Sequence, residues 1–68
     1  MRIKITENTY LGNTDGVEVD AIVAYGISND ILGYDVLGEE LINEGVDVAI
    51  DPAFGYFLKS HQVKVIKD

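Results

Sequence analysis

The sequence predicts a mainly β fold: five short strands closing into a small barrel, with one short helix inserted before the last two strands. Three observations predict it. Apolar residues recur at every second position in several short runs, which is strand and not helix spacing. Glycine, asparagine and aspartate gather between the runs, where turns are needed. The alternation gives way to a helix signature in one stretch, "LGEELINEG", where acids come first, apolar residues follow and a glycine closes. The 68 residues are expected to form a single domain, residues 1–68.

Taken in order, "MRIKIT" places Ile3 and Ile5 on one face and is the first strand. "ENTYLGNTDG" is a loop, with Tyr10 and Leu11 as the apolar anchors that fold it back. "VEVDAIVAYG" is the strongest strand. Its first half is wet on one side, through Glu18 and Asp20, and its second half is expected to be buried on both. "ISND" is turn chemistry. "ILGYDV" is the third strand, with Gly33 marking a bulge or a close backbone approach. "GEELINEG" is a short surface helix: Glu39 and Glu40 suit its positive end, Leu41 and Ile42 face the barrel, and Gly45 supplies a left-handed cap. Residues 46–50 alternate like a strand, yet Pro52 and the preceding helix fit an irregular linker equally well. "FGYFL" and "QVKVI" are the closing strands, joined through "KSH" by one tight helical turn. Parity then assigns Ile3, Ile5, Val19, Val23, Val63 and Val65 to the core, so that Val23→Asp is expected to unfold the protein.

Hydrophobic residues make up 47% of the chain and Gly plus Pro only 7 and 1 residues, a composition that folds. With no cysteine, neither a disulfide nor a thiolate zinc site supplements the core. A chain of this length buries only about 60% of its unfolded surface, which houses a binding face more easily than a deep catalytic pocket. The longest apolar stretch, "AIVAY", is too short for a bilayer, and "MRIKIT" lacks the apolar core of a signal peptide. No membrane association is expected.

Charge is more informative than composition. The net charge is -7, and all five basic residues sit at the two ends: Arg2, Lys4, Lys59, Lys64 and Lys67. Between Ile5 and Leu58 every charged side chain is acidic. Such a field repels phosphates, so direct nucleic-acid binding is not expected. An acidic surface of this kind is either a solubilising coat or a face for a basic partner protein.

"GYFLKSHQVKVI" resembles the final strands of Src-homology-3-like (SH3-like) barrels, where a Gly-aromatic-aromatic strand enters a one-turn 3₁₀ helix and leaves as an alternating strand. With "IKIT", "YLG", "GEEL" and "VKVI", the chain as a whole is similar to small phage proteins. The resemblance implies a barrel and a bacterial cytoplasm in an infected or host cell; together with the acidic charge layout it points to action on a host or defence protein as a small inhibitor or decoy. Peptide-binding SH3 domains carry a tryptophan and a proline in the final helical turn. This chain has no tryptophan, and Leu58-Lys59-Ser60-His61-Gln62 stands in place of that turn, so proline-rich recognition is not expected.

Catalytic chemistry has little to work with. His61 is the only histidine, Ser60 beside it is an accident of adjacency, and Glu39 with Glu40 or Asp47 with Asp51 lacks the spacing of a calcium loop. No glycine-rich phosphate loop is present. The expectation is a non-enzyme with no cofactor or metal. Its candidate partner-binding residues are Glu39, Glu40, Glu44 and Asp47, with Tyr56, Phe57 and His61 as second choices. Most of the four tyrosines are assigned to core or rim in preference to an exposed patch. A structural subunit that self-associates through barrel edges is the competing reading.

Overall fold

The computed structural model describes residues 1–26, 32–46 and 50–68. The described chain is mainly β. It runs β1 (Arg2–Ile5), β2 (Glu18–Asp20), β3 (Ile22–Tyr25), β4 (Leu32–Leu37), α1 (Gly38–Asn43), β5 (Gly55–Lys59), a 3₁₀ turn (Ser60–Gln62) and β6 (Val63–Lys67). Two antiparallel three-stranded sheets result, a first in the order β2-β1-β6 and a second in the order β3-β4-β5. This corrects the expected closed, five-stranded barrel: there are six strands, and no ladder joins the two sheets among the described residues.

The extra strand comes from a break in "VEVDAIVAYG". At Ala21 the chain leaves the first sheet, its N–H bonding the Met1 carbonyl at 2.8 Å and its carbonyl accepting the Met1 amino group at 2.9 Å. The segment before Ala21 pairs with β1, and the segment after it pairs with β4. Alternation continues through the break, so the period alone does not reveal it.

The core lies between the sheets and the helix. Ile3, Ile5 and Val19 come from the first sheet, Val36 and Leu58 from the second, Leu41 from α1 and Leu11 from the long loop. Burying each such leucine or isoleucine contributes about 1.5–3 kcal/mol. Two of the residues assigned to the core by parity are exposed, Val23 at 50% and Val65 at 39%, while Val63 is half-buried. Both lie on edge strands, β3 and β6, but so do the fully buried Val19 on β2 and Leu58 on β5; the difference is that no other element covers Val23 and Val65. The second half of the long run is likewise not buried on both sides, for Ile22 is 67% and Tyr25 63% exposed.

The loop from Thr6 to Val17 is held by hydroxyls. Thr14, fully buried, donates to the Glu7 carbonyl at 3.0 Å and lies 3.0 Å from the Thr9 hydroxyl, which in turn accepts the Leu11 N–H at 3.2 Å. Leu11 is buried as an anchor should be, but Tyr10 is exposed and anchors through its hydroxyl instead.

In α1, Leu41 is fully buried while Ile42 is 44% exposed, so one of the two expected helix contacts is made. The helix starts against the Pro52–Phe54 turn, with the Gly38 N–H donating to the Phe54 carbonyl at 2.8 Å and the Glu39 N–H to the Pro52 carbonyl at 3.0 Å. It stops as a Schellman cap: Gly45 N–H to Ile42 carbonyl and Val46 N–H to Leu41 carbonyl, both 3.0 Å, with Val46 buried. Gly45 has φ +82° and open space around a built Cβ. Gly45→Val is therefore expected to destabilise by about 1–2 kcal/mol through backbone strain alone, and Gly45→Asn by clearly less. Urea denaturation of the two variants checks this. Residues 47–49, on which the choice between strand and linker at 46–50 depends, lie outside the described residues, as does "ISND".

The tight turn forms one residue later than "KSH", at Ser60–Gln62, and the Gln62 side chain accepts the Lys59 N–H at 3.1 Å. Among the described residues no helix is long and apolar enough to cross a membrane.

Candidate functional site

The outer face of the second sheet carries the most structured surface. Because β3, β4 and β5 pair antiparallel, Ile22, Asp35 and Phe57 form one row straight across that sheet. On β4, Gly33 and Leu37 share the face of Asp35. Gly33 makes the close approach expected of it: a Cβ there would collide with the Leu58 carbonyl and the Phe57 ring. The ring of Phe57, diagonal to the glycine across the ladder, covers the bare backbone.

Two grooves open on this face. One, of about 550 Å³, is lined by Tyr10, Tyr25, Phe57, Asp35, Lys59 and Gln62. The other, of about 480 Å³, is lined by Ile22, Leu37 and Met1 together with Asp20, Asp35 and Glu40. Asp35 belongs to both. The wall of the first groove is fixed by Tyr10, whose hydroxyl crosses from the long loop to donate to the Phe57 carbonyl at 3.0 Å.

Burial of its hydroxyl end raises the Tyr10 pKa above the ordinary phenol value, and nearby Tyr56 and Asp35 raise it further. The bond to Phe57 requires the protonated phenol. With the folded-state value raised, the contribution of this strap is complete below the ordinary tyrosine pKa of about 10 and is lost as pH climbs through the raised value. A tyrosinate absorbance titration of the parent should show a late-ionising component that is absent from Tyr10→Phe.

The expected acidic site is only partly assembled. Glu39 and Glu44 are exposed on α1 and at its end. Glu40 is half-buried and occupied: its carboxylate lies 3.8 Å from the Arg2 guanidinium and accepts the Asp20 N–H at 3.4 Å. Arg2 also meets Asp20 at 3.7 Å, a pair of the exposed kind that contributes about 0–1 kcal/mol. Asp47 lies outside the described residues.

The second-choice residues part company. Tyr56 is structural, its hydroxyl accepting the Asp51 N–H at 2.8 Å and its ring packing edge-on against Phe54 with centroids 5.0 Å apart. Phe57 lines the first groove, whereas His61 is exposed on the 3₁₀ turn and lines neither. Tyr10 and Tyr25 also depart from the core-or-rim assignment, being 66% and 63% exposed.

Of the groove residues the sequence reading selected only Phe57 and Glu40; it missed Asp35, Lys59, Tyr10 and Tyr25 among the rest. A signal was present for one of them: Asp35 is the single charge inside the otherwise uncharged strand "LGYDVL". Among the described residues no group of acids and histidine is spaced to hold a metal ion.

The ladders also sort the charges. β1 and β6 place Arg2 opposite Lys67 and Lys4 opposite Lys64, all in the first sheet. Lys59 is the one basic residue in the strands of the second. No protein-family model, curated protein or solved structure matches this chain.

Proposed function

We propose that this chain is a small acidic protein-binding module that works by occupying a basic surface of its partner. The observation that carries this reading is the segregation of charge by the fold. Four of the five basic residues lie in β1 and β6, so α1 and the strands of the second sheet carry Glu39, Glu40 and Asp35 with Lys59 as the one basic residue of their own, while Arg2 reaches across to Glu40. Glu39 and Glu44 are exposed acids on α1 and at its end, and the second groove, lined by Glu40 of the same helix, supplies apolar area. An interface of apolar centre and charged rim is the usual anatomy of protein recognition.

The finer reading is an SH3-like domain of phage type, acting as an inhibitor or decoy on a host or defence protein in the bacterial cytoplasm. Two features support its SH3-like part: a run that passes from one sheet into the other at Ala21, and the 3₁₀ turn between β5 and β6.

The test is affinity capture from bacterial lysate with the parent and with Glu39→Lys/Glu44→Lys, at low and high salt. Glu40 is left alone because its replacement would set a lysine against Arg2. The basic protein held by the parent at low salt should be lost at high salt and lost to the variant, since close interfacial charge pairs contribute roughly 1.5–7 kcal/mol. Equal capture by parent and variant, both folded by circular dichroism, would reduce the acidic rim to a solubilising coat.

Self-association is the second reading, and one observation favours it. β3 is an edge strand with Ile22, Val23 and Tyr25 exposed, a surface on which a second copy can add a strand. Such pairing would be insensitive to salt.

A further inference from the structure

We infer that Asp35 is the anchor for a single arginine or lysine side chain of the partner, presented on an extended segment with apolar residues on both sides of it. The inference rests on the protein-binding reading and names what that face would take.

Three features of the face specify the ligand. Asp35 is half-buried in the centre of the sheet and forms no ion pair among the described residues, although it sits between apolar neighbours Ile22 and Phe57 in its row. A carboxylate held in such surroundings gains more from an incoming cation than one in open water. Secondly, the two grooves meet at Asp35 and both are lined mainly by apolar or aromatic side chains, Tyr10, Tyr25 and Phe57 on one side, Ile22, Leu37 and Met1 on the other. A ligand with its cation at Asp35 therefore places apolar groups in both directions.

Thirdly, the remaining charges leave Asp35 as the free position. Asp20 and Glu40, in the second groove, already face Arg2 at 3.7 and 3.8 Å. Lys59, at the other groove, repels a cation placed beyond Phe57. The helix rim of Glu39 and Glu44 adds long-range attraction without a fixed partner.

The probe is a synthetic peptide pool with one central arginine flanked on each side by randomised apolar and aromatic residues, and a matched pool with citrulline, which keeps the shape and loses the charge. Amide chemical shifts of the full chain are followed during titration. The arginine pool should shift Tyr25 and Phe57 on one side and Ile22 and Leu37 on the other. It should bind about tenfold or more tightly than the citrulline pool, and Asp35→Asn should remove that preference.

Equal binding of the two pools by the parent, or an unchanged preference in a folded Asp35→Asn, would overturn the anchor while leaving a protein-binding face. So would shifts confined to one groove. The comparison of pools on the parent protein needs no variant, so it decides the matter even if Asp35→Asn does not fold. Binding of neither pool would overturn both the anchor and the protein-binding reading of this face.

Discussion

Leu58→Ala should leave the chain largely unfolded at room temperature. Leu58 is fully buried one residue before the end of β5, opposite Tyr34, and belongs to the cluster that joins both sheets to the helix. Removing a buried leucine side chain costs about 2–5 kcal/mol, because lost transfer energy is compounded by an unfilled cavity. A single core in a chain this small rarely supplies more than about 3–5 kcal/mol in total. The cost thus approaches the whole stability of the fold. Loss of the β signal in circular dichroism, with no cooperative urea transition, is the expected readout. Val23→Asp provides the contrast: with Val23 half exposed on an edge strand, the charge stays in water and the protein should remain folded.

Gly33→Val should be almost as damaging, for the opposite reason. At Gly33 a side chain has nowhere to go, because its first carbon would enter the Leu58 carbonyl and the Phe57 ring. The ring can swing aside, but the carbonyl belongs to the β5 backbone and can yield only if the β4–β5 ladder separates. Overpacking of this sort costs about 3 kcal/mol at the upper end of its usual range. Gly33→Ala should show a milder form of the same defect, with the Phe57 ring displaced and the nuclear Overhauser effects between residue 33 and the Phe57 ring weakened. Since Phe57 also walls the first groove, both substitutions should weaken ligand binding in proportion to the displacement.

What was legible in the sequence was local. The alternation of Ile3 and Ile5, the acids and glycine that bracket α1, and the turn before β6 each depend on residues a few positions apart, where period and capping chemistry speak directly. The core list went astray at Val23 and Val65 because parity says which face a residue takes and nothing about whether another element covers that face. Leu41 was legible from its place in the helix, whereas Val36 and Leu58, which close the core from the second sheet, were identifiable only once it was known which elements pack together. The break at Ala21 was hidden because an alternating pattern serves two successive strands as well as one long strand.

The candidate site was the least legible part, and the reason is sequence separation. Its first groove draws Tyr10 from a loop, Tyr25 from β3, Asp35 from β4 and Phe57 from β5, residues that share no motif and are brought together only by the fold. The acidic helix was visible as a charge run, yet sequence did not show that Glu40 is turned inward to Arg2 while Glu39 and Glu44 remain free. Charge count thus pointed to the acidic helix as a surface, and packing decided which carboxylates remain available on it.

Hydrogen exchange on the chain bound to the protein it captures decides whether the outer face of the second sheet is the working face. The expected result is slowed exchange at β3, β4 and β5, residues 22–25, 32–37 and 55–59, with β1 and β6 unchanged from the free protein. Protection confined to β1 and β6, where Arg2, Lys4, Lys64 and Lys67 lie, would contradict it and move the interface to the basic sheet.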